Sequence, residues 1–436
     1  GAGSTAGAVG SGSVSAATAG PMGGVAAGGA GAAGAGHRPP VLASIVRPPA
    51  LGEDSLKLVD AFVSEMHESA FEDTSKLDAL AQQVEDLLRR IPARWRPRKP
   101  SLIEPVVPVV TRLDLLSLPV GKVSFFRLSL ATNHVGSPMA VPVMIMRGAS
   151  AGPVLIVTSA IHGNELNGIP LIHRLFRELS PSQLAGTLIA VPVVNVAGYA
   201  RCQRAFSDGV DINRIMPGKS NGTSSQQFAY KLMNRLMAKA DYVIDLHTAS
   251  FGRVNSLYVR ADMNDPVTFR MALLQYPQIV VHSTGPDGSL RGECMNKGIK
   301  AITVEIGDPQ RFHERFVKKA FMGVTNILSF LKMAPASLEM VPADVQEPVL
   351  CSSSYWIFTK EGGVLYVYPH LGDWVREGEI VAEIFDLFGQ LVDRYVAPED
   401  GIVVGKSVNP VCQTGDRILH LGIVKASFPA VAHDGH

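Results

Sequence analysis

No CxxC pair occurs, and the four cysteines (Cys202, Cys294, Cys351, Cys412) lie far apart. This excludes a disulfide framework and a cysteine metal site, and it fits a reduced, cytoplasmic compartment. A surplus of charge is lacking too: 40 Lys+Arg against 39 Asp+Glu leave a formal +1. A large nucleic-acid footprint would need a basic excess. No apolar run approaches the ~18 residues of a membrane span. Charged residues are sparse at 18%, below the ~25% of ordinary chains, and one segment carries much of that deficit. Of residues 1–36, 31 are Gly, Ala, Ser or Thr and none is charged. Such a stretch cannot bury enough apolar surface to offset the entropy of ordering, so residues 1–50 read as a flexible tail. A transit peptide, the competing reading, would be Arg-rich, and the first basic side chain is Arg38.

What is present is enough chain for two or three domains, 436 residues in all. In residues 51–105, Leu56, Val59, Phe62, Val63 and Met66 recur at helical spacing after Asp54-Ser55. Leu77, Leu80, Ala81, Val84, Leu87 and Leu88 do so after Thr74-Ser75, and Pro92 ends the run. The spacing predicts a helical hairpin over 54–91. It either packs on the domain that follows or docks a partner, a second copy of the chain included. Arg94, Arg96, Arg98 and Lys99 among prolines form a basic linker.

From 106 to 340 short apolar runs alternate with helical ones. Strands are expected at Phe125–Leu130, Ala140–Met146, Val154–Thr158, Thr187–Val194, Tyr242–Leu246, Ile279–His282 and Ala301–Ile306. Helices are expected at Pro170–Leu179, Gln226–Ala240, Pro266–Gln275 and Phe312–Leu331. Buried strands interleaved with helices indicate an α/β sheet covered on both faces. In 341–436 the helices stop. Turn residues at Gly362-Gly363, Gly372-Asp373, Gly389, Pro398–Gly401 and Gly415-Asp416 divide short strands, as in a small all-β module.

Three strand ends carry chemistry. After Val154–Thr158 comes His162-Gly-Asn-Glu165, where one imidazole and one carboxylate can converge on a single ion. After Tyr242–Leu246 comes His247, with Asp245 two residues back on the same strand face. A catalytic zinc takes three protein ligands and keeps an open position. His162, Glu165 and His247 are the candidate set, with Asp245 a partner for a ligand histidine. At the third strand end, Val304-Glu305-Ile306-Gly307 sets a carboxylate between apolar neighbours. Burial there raises a carboxyl pKa into the range of a general base. A lone HxxE is usually a surface pair or a helix cap; three such sites at strand ends, where open α/β sheets bind ligands, weigh more. The loop from Arg204 to Asp211-Ile-Asn213-Arg214 adds arginine forks, which grip carboxylates bidentately.

In their order these motifs resemble the succinylglutamate desuccinylase/aspartoacylase family, a branch of the zinc carboxypeptidase-like hydrolases. The resemblance covers roughly residues 120–425. It implies Zn2+ on His162, Glu165 and His247, with Glu305 activating the attacking water. It also implies a substrate carboxylate on Asn213 and Arg214, Arg204 polarising the scissile carbonyl, and Arg291, in Gly288-Ser-Leu-Arg291, as a further substrate-binding arginine. The implied activity is hydrolysis of an amide in a small N-acyl amino acid. The β module resembles a lipoyl/biotinyl-type barrel-sandwich domain, but its turn, Phe385-Asp386-Leu387-Phe388-Gly389, lacks the modified lysine. It is expected to be a structural module or active-site cover. The alternative function is a catalytically silent scaffold within an assembly, suggested by the tail and the hairpin.

Overall fold

The computed structural model describes residues 107–285, 287–335 and 346–424, all within one unit, Pro105–His436. The tail, the hairpin at 54–91 and the basic linker lie outside the described residues.

The chain opens with β1 (Val109–Val110), β2 (Lys122–Thr132), β3 (Pro138–Arg147) and β4 (Ser150–Ser159). Helix α1 (Gly168–Glu178) leads to β5 (Ala185–Val191), a single helical turn α2 (Val196–Tyr199), α3 (Ser224–Arg235) and β6 (Tyr242–His247). Next come β7 (Arg253–Asn255), β8 (Leu257–Ala261), α4 (Pro266–Leu273), β9 (Ile279–His282), α5 (Leu290–Asn296) and β10 (Lys300–Ile306). Helix α6 (Glu314–Phe330) and β11 (Val349–Cys351) complete the sheet region. Local chemistry sets the helix starts. Thr223 and Gln226 form a capping box on α3, and Asp265 caps α4 by accepting from Val267 N and Thr268 N, with Pro266 in the first turn.

Ten strands form one mixed sheet in the order β1-β2-β3-β5-β4-β6-β10-β8-β9-β11. Its centre, β5-β4-β6-β10, is parallel. Period-two alternation divides the residues of each central strand between two cores. Leu155, Val157, Ile244, Leu246, Ile302 and Val304 pack under α1, α4 and α6. Ile156, Val243 and Ala301 face α3 and α5. The parity puts Thr158, Asp245, His247, Thr303 and Glu305 on the second face, at the carboxyl ends of β4, β6 and β10.

The β module follows as β12 (Ser353–Phe358), β13 (Gly363–Val367), β14 (Trp374–Val375), β15 (Ile380–Phe385), β16 (Leu391–Val396), β17 (Gly401–Ser407), β18 (Val411–Cys412) and β19 (Arg417–Ile423). It is built of two sheets around its own core of Val381, Ile384, Val403, Leu419 and Leu421. One sheet runs β12-β19-β17-β14 and the other β16-β15-β13-β18. The first takes in β7, which pairs with β17 through Asn255↔Gly405 and Arg253↔Ser407. A strand from the sequence between β6 and β8 therefore belongs to the module's sheet. The expected helix over 226–240 breaks after Arg235 into a 3-10 turn, Met237–Lys239. Strands β7, β8 and β11 had no counterpart in the sequence reading.

Candidate active site

Strand β4 ends in a sharp turn, with Ala160 in the left-handed region at φ 50° and its carbonyl accepting from Asn195 N at 2.9 Å. The turn carries His162 and Glu165 just past the carboxyl end of β4. Gly163 is needed for space: a Cβ there would lie 2.1 Å from the backbone of Gly198 and Tyr199. Asn167 ties this turn to β10, its Nδ2 donating to Ile306 O at 2.7 Å and its Oδ1 accepting from His313 N at 3.0 Å.

His162, Glu165 and His247 are buried, and each offers a ligand atom within 4.8 Å of the others. Each histidine is held from behind by an aspartate. His162 Nε2 lies 3.0 Å from Asp211 Oδ1, and His247 Nε2 lies 2.8 Å from Asp245 Oδ2. Carboxylates only accept, so each Nε2 carries the proton and each Nδ1 of a neutral ring presents a lone pair. Those Nδ1 atoms sit 2.9 Å from Glu165 Oε1 and Oε2 respectively. At His162 the contact is not a hydrogen bond, and its Nδ1 is a buried polar atom with no hydrogen-bond partner. Lone pairs converging on a carboxylate ask for a cation between them. The donor set of two imidazole nitrogens and a carboxylate, each histidine backed by an acid, fits Zn2+.

The charges agree. Burial raises the Glu165 carboxyl, but His162 and His247 outweigh it and hold Glu165 well below the usual value. Burial lowers His247, but Asp245 and Glu165 outweigh it and hold the imidazole well above its usual value. Asp245 is fixed in turn by Thr158 Oγ1, which donates to its Oδ1 at 2.7 Å.

Glu305 is the Cα partner of His247 across β6–β10. Its Oε2 accepts from Asn255 Nδ2 at 3.1 Å. Burial pushes its carboxyl up and Glu165 adds to this, against His247 and Arg260. Arg291, expected as a further substrate-binding arginine, is engaged elsewhere. Its Nη1 donates to Ser283 O at 3.0 Å, and its Nη2 donates to Ser283 Oγ at 2.9 Å and Asp287 Oδ2 at 3.3 Å. Arg291 lines the cavity but is fully buried and committed to the protein.

Arg204 reaches the Glu165 carboxylate. Its Nη1 donates to Glu165 Oε1 at 2.9 Å and to Ser250 Oγ. Its Nε and Nη2 donate to Asp211 Oδ2 at 3.1 and 2.8 Å. One Nη2 N–H is left for a substrate. Asp211 was read only as part of a motif; it supports His162, orients Arg204 and caps the turn over Ile212–Arg214 through Asn213 N at 2.9 Å. Burial raises Asp211, but His162 and Arg204 hold it far below its usual value. Asn213 Oδ1 accepts from Leu290 N at 2.7 Å, and the residue lines the cavity. Among the described residues Arg214 donates only to Asn213 O, at 2.8 Å. The loop before α5 reaches Arg214 because residue 288 is glycine: at φ 74°, a Cβ would sit 2.3 Å from Arg214 O.

His162, Glu165, His247, Glu305, Arg204, Asn213, Arg214 and Arg291 line one cavity of about 220 Å³. Its wall also holds residues that sequence reading missed: Arg253, Asn255, Tyr258, Arg260, Trp356 and Arg417. Tyr258 and Arg260 alternate along β8 opposite Glu305 and Thr303. That period of two inside an apolar run was the available signal. Trp356 and Arg417 come from the β module, so the module forms part of the wall.

A family model described as the succinylglutamate desuccinylase/aspartoacylase catalytic domain matches residues 151–331. The N-alpha-acetyl-L-2,4-diaminobutyric acid deacetylase of Halomonas elongata is 22% identical over 318 residues, covering 70% of this chain and 92% of its own. Among solved structures, the ectoine utilization protein EutE (DoeB) of Ruegeria pomeroyi, in a product-bound form, aligns with a TM-score of 0.63 at 21% identity. That alignment covers 71% of this chain and 98% of that one. A succinylglutamate desuccinylase/aspartoacylase from Rhodobacter sphaeroides aligns with a TM-score of 0.63 at 23% identity, over 70% and 96%. The mixed α/β fold is that of these structures, and residues 151–331, which carry the four motifs converging on one cavity, are similar to the succinylglutamate desuccinylase/aspartoacylase catalytic domain.

Proposed function

We propose that this chain is a zinc-dependent amidohydrolase that removes the acyl group from a small N-acyl amino acid or related carboxylate-bearing amide. The observation that carries the reading is the buried His162–Glu165–His247 cluster, with aspartates behind both histidines and Glu305 beside it. Zn2+ held by these three residues would supply a Lewis acid for the amide carbonyl and lower the pKa of water. Glu305, with its raised pKa, takes a proton from the attacking water and delivers it to the leaving amine. The remaining Nη2 N–H of Arg204 steadies the carbonyl oxygen as charge builds there. Arg214 and the Asn213 amide hold the substrate carboxylate, which fixes the amide relative to Glu305. The relative from Halomonas elongata, named as a deacetylase of an N-acetyl amino acid, supports the same chemistry.

The β module reads as a lipoyl-like barrel-sandwich used as a wall of the site. Its turn between β15 and β16 offers Leu387 and Phe388 where such modules carry a lysine. Amine release from a panel of N-acetyl and N-succinyl amino acids tests the function: hydrolysis of at least one member is expected, and none at all would overturn it.

A further inference from the structure

The β6–β10 ladder fixes where the Glu305 side chain leaves the sheet. Several side-chain torsions separate that point from the carboxylate, so the backbone alone does not say where the head group rests. The head group is held from another sheet. Asn255 Nδ2 donates to Glu305 Oε2 at 3.1 Å. Asn255 is buried and lies on β7, the strand that pairs with β17 of the β module. Tyr258 also stands opposite Glu305, but on β8, a neighbour of β10 in the main sheet.

Both ends of β7 are tied to the module. Gly252 O accepts from Val408 N at 2.8 Å and from Asn409 N at 3.2 Å. Past the other end, Ser256 donates to Val404 O through its N and its Oγ, each at 3.1 Å. Between these ties Asn255 stands opposite Gly405. A Cβ on residue 405 would lie 2.4 Å from Asn255 Oδ1 and 3.1 Å from Val254 O. Glycine at 405 therefore leaves the Asn255 amide its place. The register of β17 against β19 shifts between Val403 and Gly405, at the same point. A glycine inside a strand marks such an irregularity or a close approach, and here it marks both. The carboxamide N–H donates and does not titrate, so Asn255 can fix one carboxylate oxygen without entering the proton transfer.

We propose that Asn255 is the positioning residue for Glu305, and that the β module takes part in the reaction by holding Asn255 in place across Gly405. Filling the space at residue 405, which does not line the cavity, then disables the base inside it. This rests on the proposed function for the role of Glu305, whereas the place of its carboxylate is measurable without turnover. The experiment compares Asn255→Ala, Asn255→Leu and Gly405→Ala with the parent, all as full chains, by steady-state kinetics, Tm, zinc content and crystal structure. Each variant should lose kcat by about tenfold or more, the scale of one hydrogen bond to a charged group or of a misplaced catalytic group. KM and zinc content should hold and the fold should survive. In each crystal structure the Glu305 carboxylate should leave its place or spread over several rotamers. A double-mutant cycle separates positioning from general damage. In the Glu305→Gln background Asn255→Ala should lower kcat no further, and Gly405→Ala should add nothing to Asn255→Ala. A Glu305 carboxylate that stays in place in every variant overturns the proposal. So does a loss carried by KM, or one that multiplies in the double variants. Variants that all fail to fold would make Asn255 and Gly405 supports of the β7–β17 pair, which overturns it too. If the carboxylate moves while the parent hydrolyses no amide, the hydrolase reading falls and the positioning stands.

Discussion

Glu305 stands directly opposite His247 across the parallel β6–β10 pair. Adjacent strands lie ~4.8 Å apart, so the carboxylate and the imidazole leave the same sheet face at the same level. The backbone ladder, rather than a loop, thus sets the distance between Glu305 and His247.

Glu305→Gln keeps the size of the side chain and a hydrogen bond to Asn255 but cannot take a proton. Folding and zinc content should survive while kcat falls by at least ~10²-fold, the usual scale for a lost general base. Near-normal kcat would remove Glu305 from the mechanism.

Asp245→Asn tests the support behind His247. The amide keeps the shape but removes the charge facing Nε2 and can turn an NH2 donor toward it, which favours the wrong tautomer. Zinc affinity should drop about 10- to 100-fold with the fold intact. A titration with a competing chelator measures this, and unchanged affinity would mean that Asp245 serves only β6.

Arg214→Ala should raise KM for a carboxylate-bearing amide and barely change turnover of an uncharged one, since Arg214 has no acid partner of its own within ion-pair distance among the described residues. Steady-state kinetics on a matched substrate pair decide it. Equal losses on both would make Arg214 a support for its loop.

Asp265 offers a test of the fold that avoids the site. It caps α4 and binds Lys300 at the start of β10. Burial raises its carboxyl, but the Lys300 contact and the backbone N–H groups of Thr268 and Val267 outweigh it and depress the pKa below 3.8. A depressed folded pKa stabilises above the unfolded value and stops doing so as pH falls through the folded one. Asp265→Ala should therefore cost about 1 kcal/mol at neutral pH, a gap that closes below roughly pH 4. Urea unfolding at the two pH values checks both parts; a gap independent of pH would contradict the ionic share.

Much of the site was legible because its residues end strands whose interiors are plainly apolar. Val154–Thr158, Tyr242–Leu246 and Ala301–Ile306 each announce a buried strand, and His162, His247 and Glu305 stand at or just past the ends. What the sequence could not show is that β4, β6 and β10 are neighbours, which is a matter of sheet order. Strand β7 is three residues long and pairs with a strand some 150 residues later, so no local pattern marks it. Arg417 and Trp356 join the cavity through that long-range pairing, and both escaped notice. Arg204 was expected at the carbonyl oxygen. It lies in the cavity, but most of its donors are held by Glu165, Asp211 and Ser250, a competition that spacing alone does not encode.

The most direct test of the central claim is amine release from N-acyl amino acids before chelation, after chelation and after Zn2+ is returned. Hydrolysis should disappear with the metal, return with about one zinc per chain, and stay absent in His247→Ala. Hydrolysis undiminished in metal-free protein, or restored by zinc in that variant, would contradict the claim.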